Sequence, residues 1–324
     1  MEYVRVVSLV PSLTEAVAVT LPGVLVGATD WCSHPAGLDV PRVGGSKYPD
    51  LARVLALDPD LVLLNVEENR REDADALVAA GVPVRVTYPR TVPEALTELA
   101  GLLAALGATR EPAWLDAARL AWADPPRLSP SRRAVVPVWR RPWVVLGSGT
   151  FAGDVLRRLG VLNAYEGHPE RYPRPPLAEL RDVDPDLVVL PDEPYRFTAE
   201  DGPEAFPGTP CALLSGRHLT WYGPSLAEAP AVLAAQLARP VSAAPLTRPG
   251  DHTPPPAPRR CRRRTGPRPP PAGAASGLSA LRSGVRALRP RPAGPPSGPG
   301  PGCAPAGRRA RSSRSTRRGS APPP

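Results

Sequence analysis

The sequence predicts an α/β protein of two Rossmann-like lobes, each with a parallel sheet, joined by a single backbone helix and holding a ligand cleft between them. Three observations point to this fold. First, Asp-Pro-Asp-Leu-Val occurs twice, at 58–62 and 184–188, and each copy runs on into further aliphatic residues. In both, a leucine-containing helical stretch meets an Asp-Pro pair, and the residue before a proline is pushed out of the helical region, so the helix stops. The runs Leu61-Val62-Leu63-Leu64 and Leu187-Val188-Val189-Leu190 that follow are apolar throughout and of strand length, as in a parallel strand covered by helices on both faces. Second, each run ends in a polar loop, Asn65-Val66-Glu67-Glu68-Asn69 or Pro191-Asp192-Glu193-Pro194-Tyr195. Ligands of open α/β sheets bind beyond the carboxyl ends of the strands, so two equivalent loops suggest two lobes facing one ligand. Third, both halves alternate strand and helix with short connections, which implies parallel sheets with right-handed crossovers.

The elements follow in order. A strand is expected over 4–10, and Pro11-Ser12 then opens a helix in which Ser12 and Glu15 have capping-box spacing. A strand over 25–29, a helix over 50–57 and the strand 61–64 come next. A helix over 71–80 is closed by Gly81, a strand covers 84–87, and a helix over 93–106 is closed by Gly107. This is the first lobe, 1–108. Residues 109–126 form the bridge, an Ala- and Leu-rich helix over 111–123 that ends at Pro125-Pro126. The second lobe, 127–239, has a strand over 134–139, a helix over 150–159, a short helix before Asp184, strands at 187–190 and 212–214, and a closing helix over 226–238. One helical bridge permits only limited closure around a ligand.

The net charge of +9 over 324 residues suggests a nucleic-acid partner at first sight. The charge is unevenly placed. From Pro240 to Pro324 there are 17 of the 40 basic residues, all Arg, and one of the 31 acidic ones, together with 21 Pro. Residues 1–239 keep 23 basic and 30 acidic residues, a net −7, so the folding part is acidic. The segment 240–324 has no periodic apolar pattern with which to offset the entropy of ordering and is expected to be a disordered Pro/Arg-rich tail. Arginine without lysine among Pro, Ala and Gly is also what out-of-frame translation of GC-rich DNA gives, so a non-functional extension is preferred to a nucleic-acid arm. Four cysteines without a CxxC spacing indicate neither a disulfide framework nor a structural zinc site. No apolar run reaches transmembrane length, and Met1-Glu2-Tyr3 leads directly into the first strand with no secretory signal, so as the sequence stands a cytoplasmic location is expected.

The order of "RVVSLVPSLTE", "VGATDWCSHP", "PRVGGSKYPDLARVLALDPDLVLLN", "GTFAGDVLRRLGVLNAY" and "LRDVDPDLVVLPDE" resembles the helical-backbone substrate-binding proteins of ABC importers, the cobalamin and ferric-siderophore receptors. The resemblance covers nearly all of residues 1–239. It implies a monomeric, non-enzymatic receptor without a catalytic cofactor, which binds a cobalamin-like corrinoid or another metal chelate (ferric siderophore, haem) and delivers it to an ABC permease. Members of the family are usually periplasmic or membrane-anchored outside the cytoplasm. The family also suggests acidic residues that dock on the permease, for which Glu72 and Glu200 are best placed.

Several aromatic residues fall at strand ends: Trp31, Tyr48, Tyr88, Trp139, Trp143, Tyr195, Trp221 and Tyr222. Flat rings with polar tips suit a large planar ligand such as a corrin, though each could equally be a core aromatic. The expected ligand-binding set is Ser12, Trp31, His34, Tyr48, Glu67, Tyr88, Trp139, Thr150, Asp192, Tyr195 and Trp221. Ser12 and Thr150 enter it because helix N-termini offer free N–H groups to ligand oxygens; simple N-capping is the alternative. Cys32 and His34 could ligate a metal, or His34 could be an axial ligand to a chelated one. They would need partners, for which His168, His218, Glu67 and Glu193 are candidates by position; otherwise Cys32 is a small buried hydrophobe. The rival to the receptor is a cytoplasmic metal- or corrinoid-handling protein or enzyme that uses Cys32 and His34.

Overall fold

The computed structural model describes residues 5–241. The expectations for the tail, Pro240 and Val241 apart, and for the strand residue Val4 fall outside these residues. The first sheet has four parallel strands, β1 (Val6–Ser8), β2 (Leu25–Ala28), β3 (Leu61–Asn65) and β4 (Val84–Thr87), in the order β2-β1-β3-β4. The second has β5 (Arg132–Val135), β8 (Val161–Asn163), β9 (Leu187–Pro191) and β10 (Cys211–Leu214), again all parallel, in the order β8-β5-β9-β10. Strand for strand, the second sheet repeats the first.

Helices α1 (Pro11–Thr20), α2 (Leu51–Ala56), α3 (Arg71–Ala79) and α4 (Val92–Ala105) flank the first sheet, and α5 (Ala113–Ala123) leads to the second. There α6 (Phe151–Arg158), α7 (Leu177–Asp182), α8 (Gly216–Thr220) and α9 (Ala229–Leu237) alternate with the strands. The strand expected over 134–139 is divided. Beyond Val135 the chain leaves the parallel sheet, and β6 (Pro137–Trp139) pairs antiparallel with β7 (Val144–Val145) in a separate hairpin. Proline has no N–H to give to a ladder, and Pro137 stands at the break. The short elements β7, β8 and α8 have too few residues for a periodic signal. Of the two expected caps, one forms. Ser12 lies inside the first turn, α1 having Val10 at its N-cap with no side-chain cap, whereas Thr150 does cap α6 by accepting from Gly153 N at 3.2 Å.

The repeated Asp-Pro-Asp motif works through the same contacts in each lobe. Asp58 and Asp184 leave their helices with φ of 47° and 50°, left-handed geometry that Asp tolerates better than most residues. Two residues on, Asp60 Oδ2 accepts from Arg5 N and Asp186 Oδ2 from Arg133 N, both at 2.9 Å. The same arginines reach back to the carbonyls at the preceding helix end, Arg5 to Leu57 O and Arg133 to Val183 O, each at 2.6 Å. Each arginine thus ties a helix stop to the start of the neighbouring strand and fixes the register Val6↔Leu61 and Ala134↔Leu187.

That register sorts the apolar residues. Leu61 and Leu63 of β3 and Leu187 and Val189 of β9 enter one core common to both lobes, with Leu13, Leu99, Leu103, Trp122, Leu156, Leu226 and Leu233. Val62 and Leu64 face a second core against α2 and α3, and Val188 and Leu190 a third with Phe197 and Phe206. The lobes therefore share their largest core instead of each closing on its own. Helix α5 is tied to both. Trp114 Nε1 donates to Thr20 Oγ1 on α1, and Trp122 Nε1 to Leu226 O in the second lobe, each at 3.0 Å.

The left-handed aspartates give a direct test. Asp184→Val, with a β-branched residue forced into positive φ, is expected to lower stability by about 1–3 kcal/mol in urea unfolding. Asp184→Gly should stay within about 1 kcal/mol of wild type; equal losses in the two variants would contradict the account.

Candidate functional site

The carboxyl ends of both sheets face each other, and the residues that end the strands meet across the gap. Asn65 closes β3 and Thr87 closes β4; both hydrogen-bond the hydroxyl of Tyr222 from the second lobe, at 2.6 and 2.9 Å. Burial, and then the charge of Glu68, push the Tyr222 phenol well above its ordinary range, so it stays protonated and can donate to Thr87. The polar loop after β3 is fixed by its own amides. Asn65 Oδ1 accepts from Glu67 N at 2.7 Å, Asn69 Oδ1 accepts from Asn65 N at 2.8 Å, and Asn69 Nδ2 donates to Leu9 O and Ser46 O.

From this loop Glu67 reaches the second lobe, where it pairs with Arg171 and accepts from the Tyr172 hydroxyl at 3.0 Å. The Arg171 guanidinium lies 4.8 Å from the centre of the Tyr88 ring. A second crossing joins Glu15 of α1 to Arg217 of α8, with 2.5 Å between Oε1 and Nη2. Arg217 lies over Trp221 at 5.8 Å, and Trp221 in turn meets the His34 ring edge-to-face at 5.5 Å and donates from Nε1 to Glu193 Oε2 at 3.1 Å. Burial raises the Glu193 carboxyl, and Asp192 next to it adds to the rise. Glu68 is half-buried; burial pushes it up to about 7, with Lys47 opposing the rise and Glu67 and Glu193 adding to it.

Of the expected site residues, Glu67, Tyr88, His34 and Trp221 thus gather where the lobes face each other. Trp31 and Tyr48 are 68% and 75% exposed on first-lobe loops, Tyr48 under the guanidinium of Arg70. Trp139 and Tyr195 pack edge-to-face at 5.6 Å, with Tyr195 against Phe197 and hydrogen-bonded to Asp201 at 2.6 Å, so they join the second-lobe aromatic cluster. Asp192 accepts from Gly216 N at 2.6 Å and fixes the turn into α8. Ser12 is 1% exposed, and its hydroxyl has no hydrogen-bond partner among the described residues.

Cys32 is buried, with Sγ 3.0 Å from Thr14 Oγ1 and 3.1 Å from Thr29 Oγ1, and burial raises its pKa, so it is a packed thiol between α1 and the loop after β2. His218 is engaged by Ser215 and Glu228, and His168 Nδ1 by Glu170 N. Among the described residues no three His, Cys, Asp or Glu converge as a metal site, so the structure does not draw Cys32 and His34 into one with the partners considered. Glu72 and Glu200 are both exposed. A depression of about 740 Å³ bordered by Val19, Thr20, Gly107, Arg110, Glu111 and Asp116 lies at the other end of α1 from Ser12 and contains none of the cleft residues.

The sequence reading missed Arg171, Tyr172 and Arg217. Arginine in a loop reads as solvated surface, and their carboxylate partners stand 104 and 202 positions away. The flanking prolines of Tyr172-Pro173-Arg174-Pro175, which stiffen a loop, were the one local signal.

Because folding raises Glu68 from 4.5 to about 7, the folded protein holds a proton that the unfolded chain releases between these values. The stability this group contributes is complete below about pH 4.5 and is lost as pH rises through 7. Glu68→Gln should therefore match wild type in acid and exceed it above pH 7 in urea midpoint; a pH-independent difference would contradict this.

Residues 6–205 match the family model described as "Periplasmic binding protein". No curated protein matches the chain. Among solved structures, a periplasmic heme-binding protein in complex with two hemes is 26% identical with a TM-score of 0.59, covering 73% of this chain and 98% of that one. The periplasmic vitamin B12 binding protein of Vibrio cholerae is 17% identical with a TM-score of 0.57, over 73% of this chain and 97% of that one. A periplasmic heme-binding protein from Pseudomonas aeruginosa is 24% identical with a TM-score of 0.56, over 74% and 95%. With the paired parallel sheets and the cleft between them in place, the match over residues 6–205 shows that the chain belongs to the periplasmic binding protein family.

Proposed function

We propose that the protein is a receptor that binds an intact, flat metal chelate of the corrinoid or porphyrin kind between its lobes and hands it to an ABC permease. The observation that carries this reading is the meeting of rings and charged groups from both lobes at one place, His34 against Trp221 and Tyr88 under Arg171. Such rings give flat contact area, and the groups beside them can orient polar substituents. The similar heme-binding and vitamin B12-binding proteins support the same ligand class. His34, with part of its ring accessible, is the residue that would approach a chelated metal axially. Action outside the cytoplasm, where the similar proteins are described, suits this role. Among the described residues no helix is long and apolar enough to cross a membrane, so the membrane step would fall to the permease.

Titration with cyanocobalamin and hemin, followed by intrinsic Trp fluorescence, tests the reading. One of them should bind with 1:1 or 2:1 stoichiometry and be recovered unchanged. Trp221→Ala should weaken that binding about tenfold or more, a loss of the size expected for a buried aromatic anchor. Cys32→Ser should leave it within about twofold, because the thiol is buried and held by two threonines. Turnover of the chelate, or binding of bare metal that is lost in Cys32→Ser, would instead establish the metal-handling alternative.

Glu72, in the first turn of α3, and Glu200 are proposed as the permease contacts, one on each lobe. Reversing both to Lys should weaken docking on permease-containing vesicles about tenfold or more and leave chelate affinity unchanged. Unchanged docking would remove the assignment.

A further inference from the structure

The loop between β8 and α7 has a fixed base and a tip that crosses to the other lobe. At the base, Val145 N donates to Pro173 O at 3.0 Å, Gly147 N to Arg171 O at 2.8 Å, and Ser148 Oγ to His168 O at 2.9 Å. These bonds lay residues 168–173 along the end of β7 and the residues that follow it. Gly147 is required there: a Cβ at this position would stand 2.2 Å from Glu170 O and 3.0 Å from Arg171 O. At the tip, two consecutive side chains end on one carboxylate. Arg171 pairs with Glu67 Oε1, and Tyr172 donates to Glu67 Oε2 at 3.0 Å. The receiving side is also firm, since Glu67 N donates to Asn65 Oδ1 and Lys47 Nζ donates to Glu67 O at 2.5 Å.

Other cross-lobe hydrogen bonds and ion pairs, Tyr222 with Asn65 and Thr87, Arg217 with Glu15 and Val92 N with Asp154, end on residues that are themselves buried, whereas Tyr172 is 38% exposed. The common core limits how far the lobes can part. Access between them therefore depends on side chains that can let go, and the tip at Arg171 and Tyr172 is held by an ion pair, one hydrogen bond and one ring contact. We infer that residues 168–173 form a strap across the cleft mouth, latched by Arg171 and Tyr172 on Glu67, whose release admits and frees the ligand. The inference rests on the receptor reading.

Backbone hydrogen exchange and stopped-flow binding test it together. In Glu67→Ala, which removes the latch, and in Gly147→Ala, which displaces the base without altering a cleft side chain, the amides of residues 145 and 147, which donate to the strap, and of 170–172 within it should exchange about tenfold faster while β9 stays protected. Whichever of cyanocobalamin and hemin binds wild type should associate and dissociate several-fold faster in both variants, and Tyr172→Phe should fall between them and wild type. Unchanged exchange in both variants overturns the latch. Faster exchange with unchanged ligand rates overturns the gate and leaves the receptor reading standing. If neither probe binds wild type or variants, the receptor reading fails and the gate with it, while the exchange data still report on the latch.

Discussion

The apolar core common to both sheets is the constraint on which the rest depends. Leu61 and Leu63 from one lobe and Leu187 and Val189 from the other enter it, with Trp122 of the connecting helix among them. Interiors packed to crystal density do not deform continuously, so two lobes sharing such a core cannot swing apart as bodies with separate cores and a flexible link can. The distance between the facing strand ends is thereby set by packing. What can change at the cleft is confined to the loops and side chains that line it, where the cross-lobe contacts are ion pairs, hydrogen bonds and ring contacts between single side chains.

The core in turn depends on register. Alternate residues of β3 and β9 go to the common core and to an outer one, and a slip by one position would exchange the two sets. The two arginine clamps exclude that slip, because Arg5 and Arg133 read both the helix end and the second aspartate of the motif. The helix stop and the buried strand were legible in the five repeated letters. The left-handed aspartate and its arginine were not, since a local pattern carries no information about a partner 53 or 55 positions away. The division of the 134–139 run was marked by Pro137, but continuous apolar character hid it.

At the site, the polar loop after β3 pointed to Glu67, aromatic residues at strand ends to Tyr88 and Trp221, and the Cys-x-His spacing to His34, and the structure places all four where the lobes face each other. Ser12 and Thr150 were drawn in by their position near helix starts and Asp192 by the polar loop after β9, and the contacts of Thr150 and Asp192 are local ones that shape the backbone. Trp139 and Tyr195 show the limit of composition: an aromatic at a strand end can turn to the ligand or to its neighbours, and these two turn to each other. Cys32 and His34 are two positions apart, yet one is buried between hydroxyls and the other faces a tryptophan of the opposite lobe. Adjacency in sequence says little about convergence in space.

The similar structures are matched over 80 to 100% of their length at identities of 13 to 26%. Such divergence is what a core permits when total volume and alternation are kept, because many combinations of Leu, Val and Ala fill the same layers. The cleft obeys a different rule. Glu15 is matched by Arg217 and Glu67 by Arg171 and Tyr172, each pair drawn from different lobes, so changing one member leaves its partner unmatched near the protein interior. Low identity with a shared architecture therefore speaks for the scaffold, and the identity of the ligand has to be read from the paired side chains of the cleft.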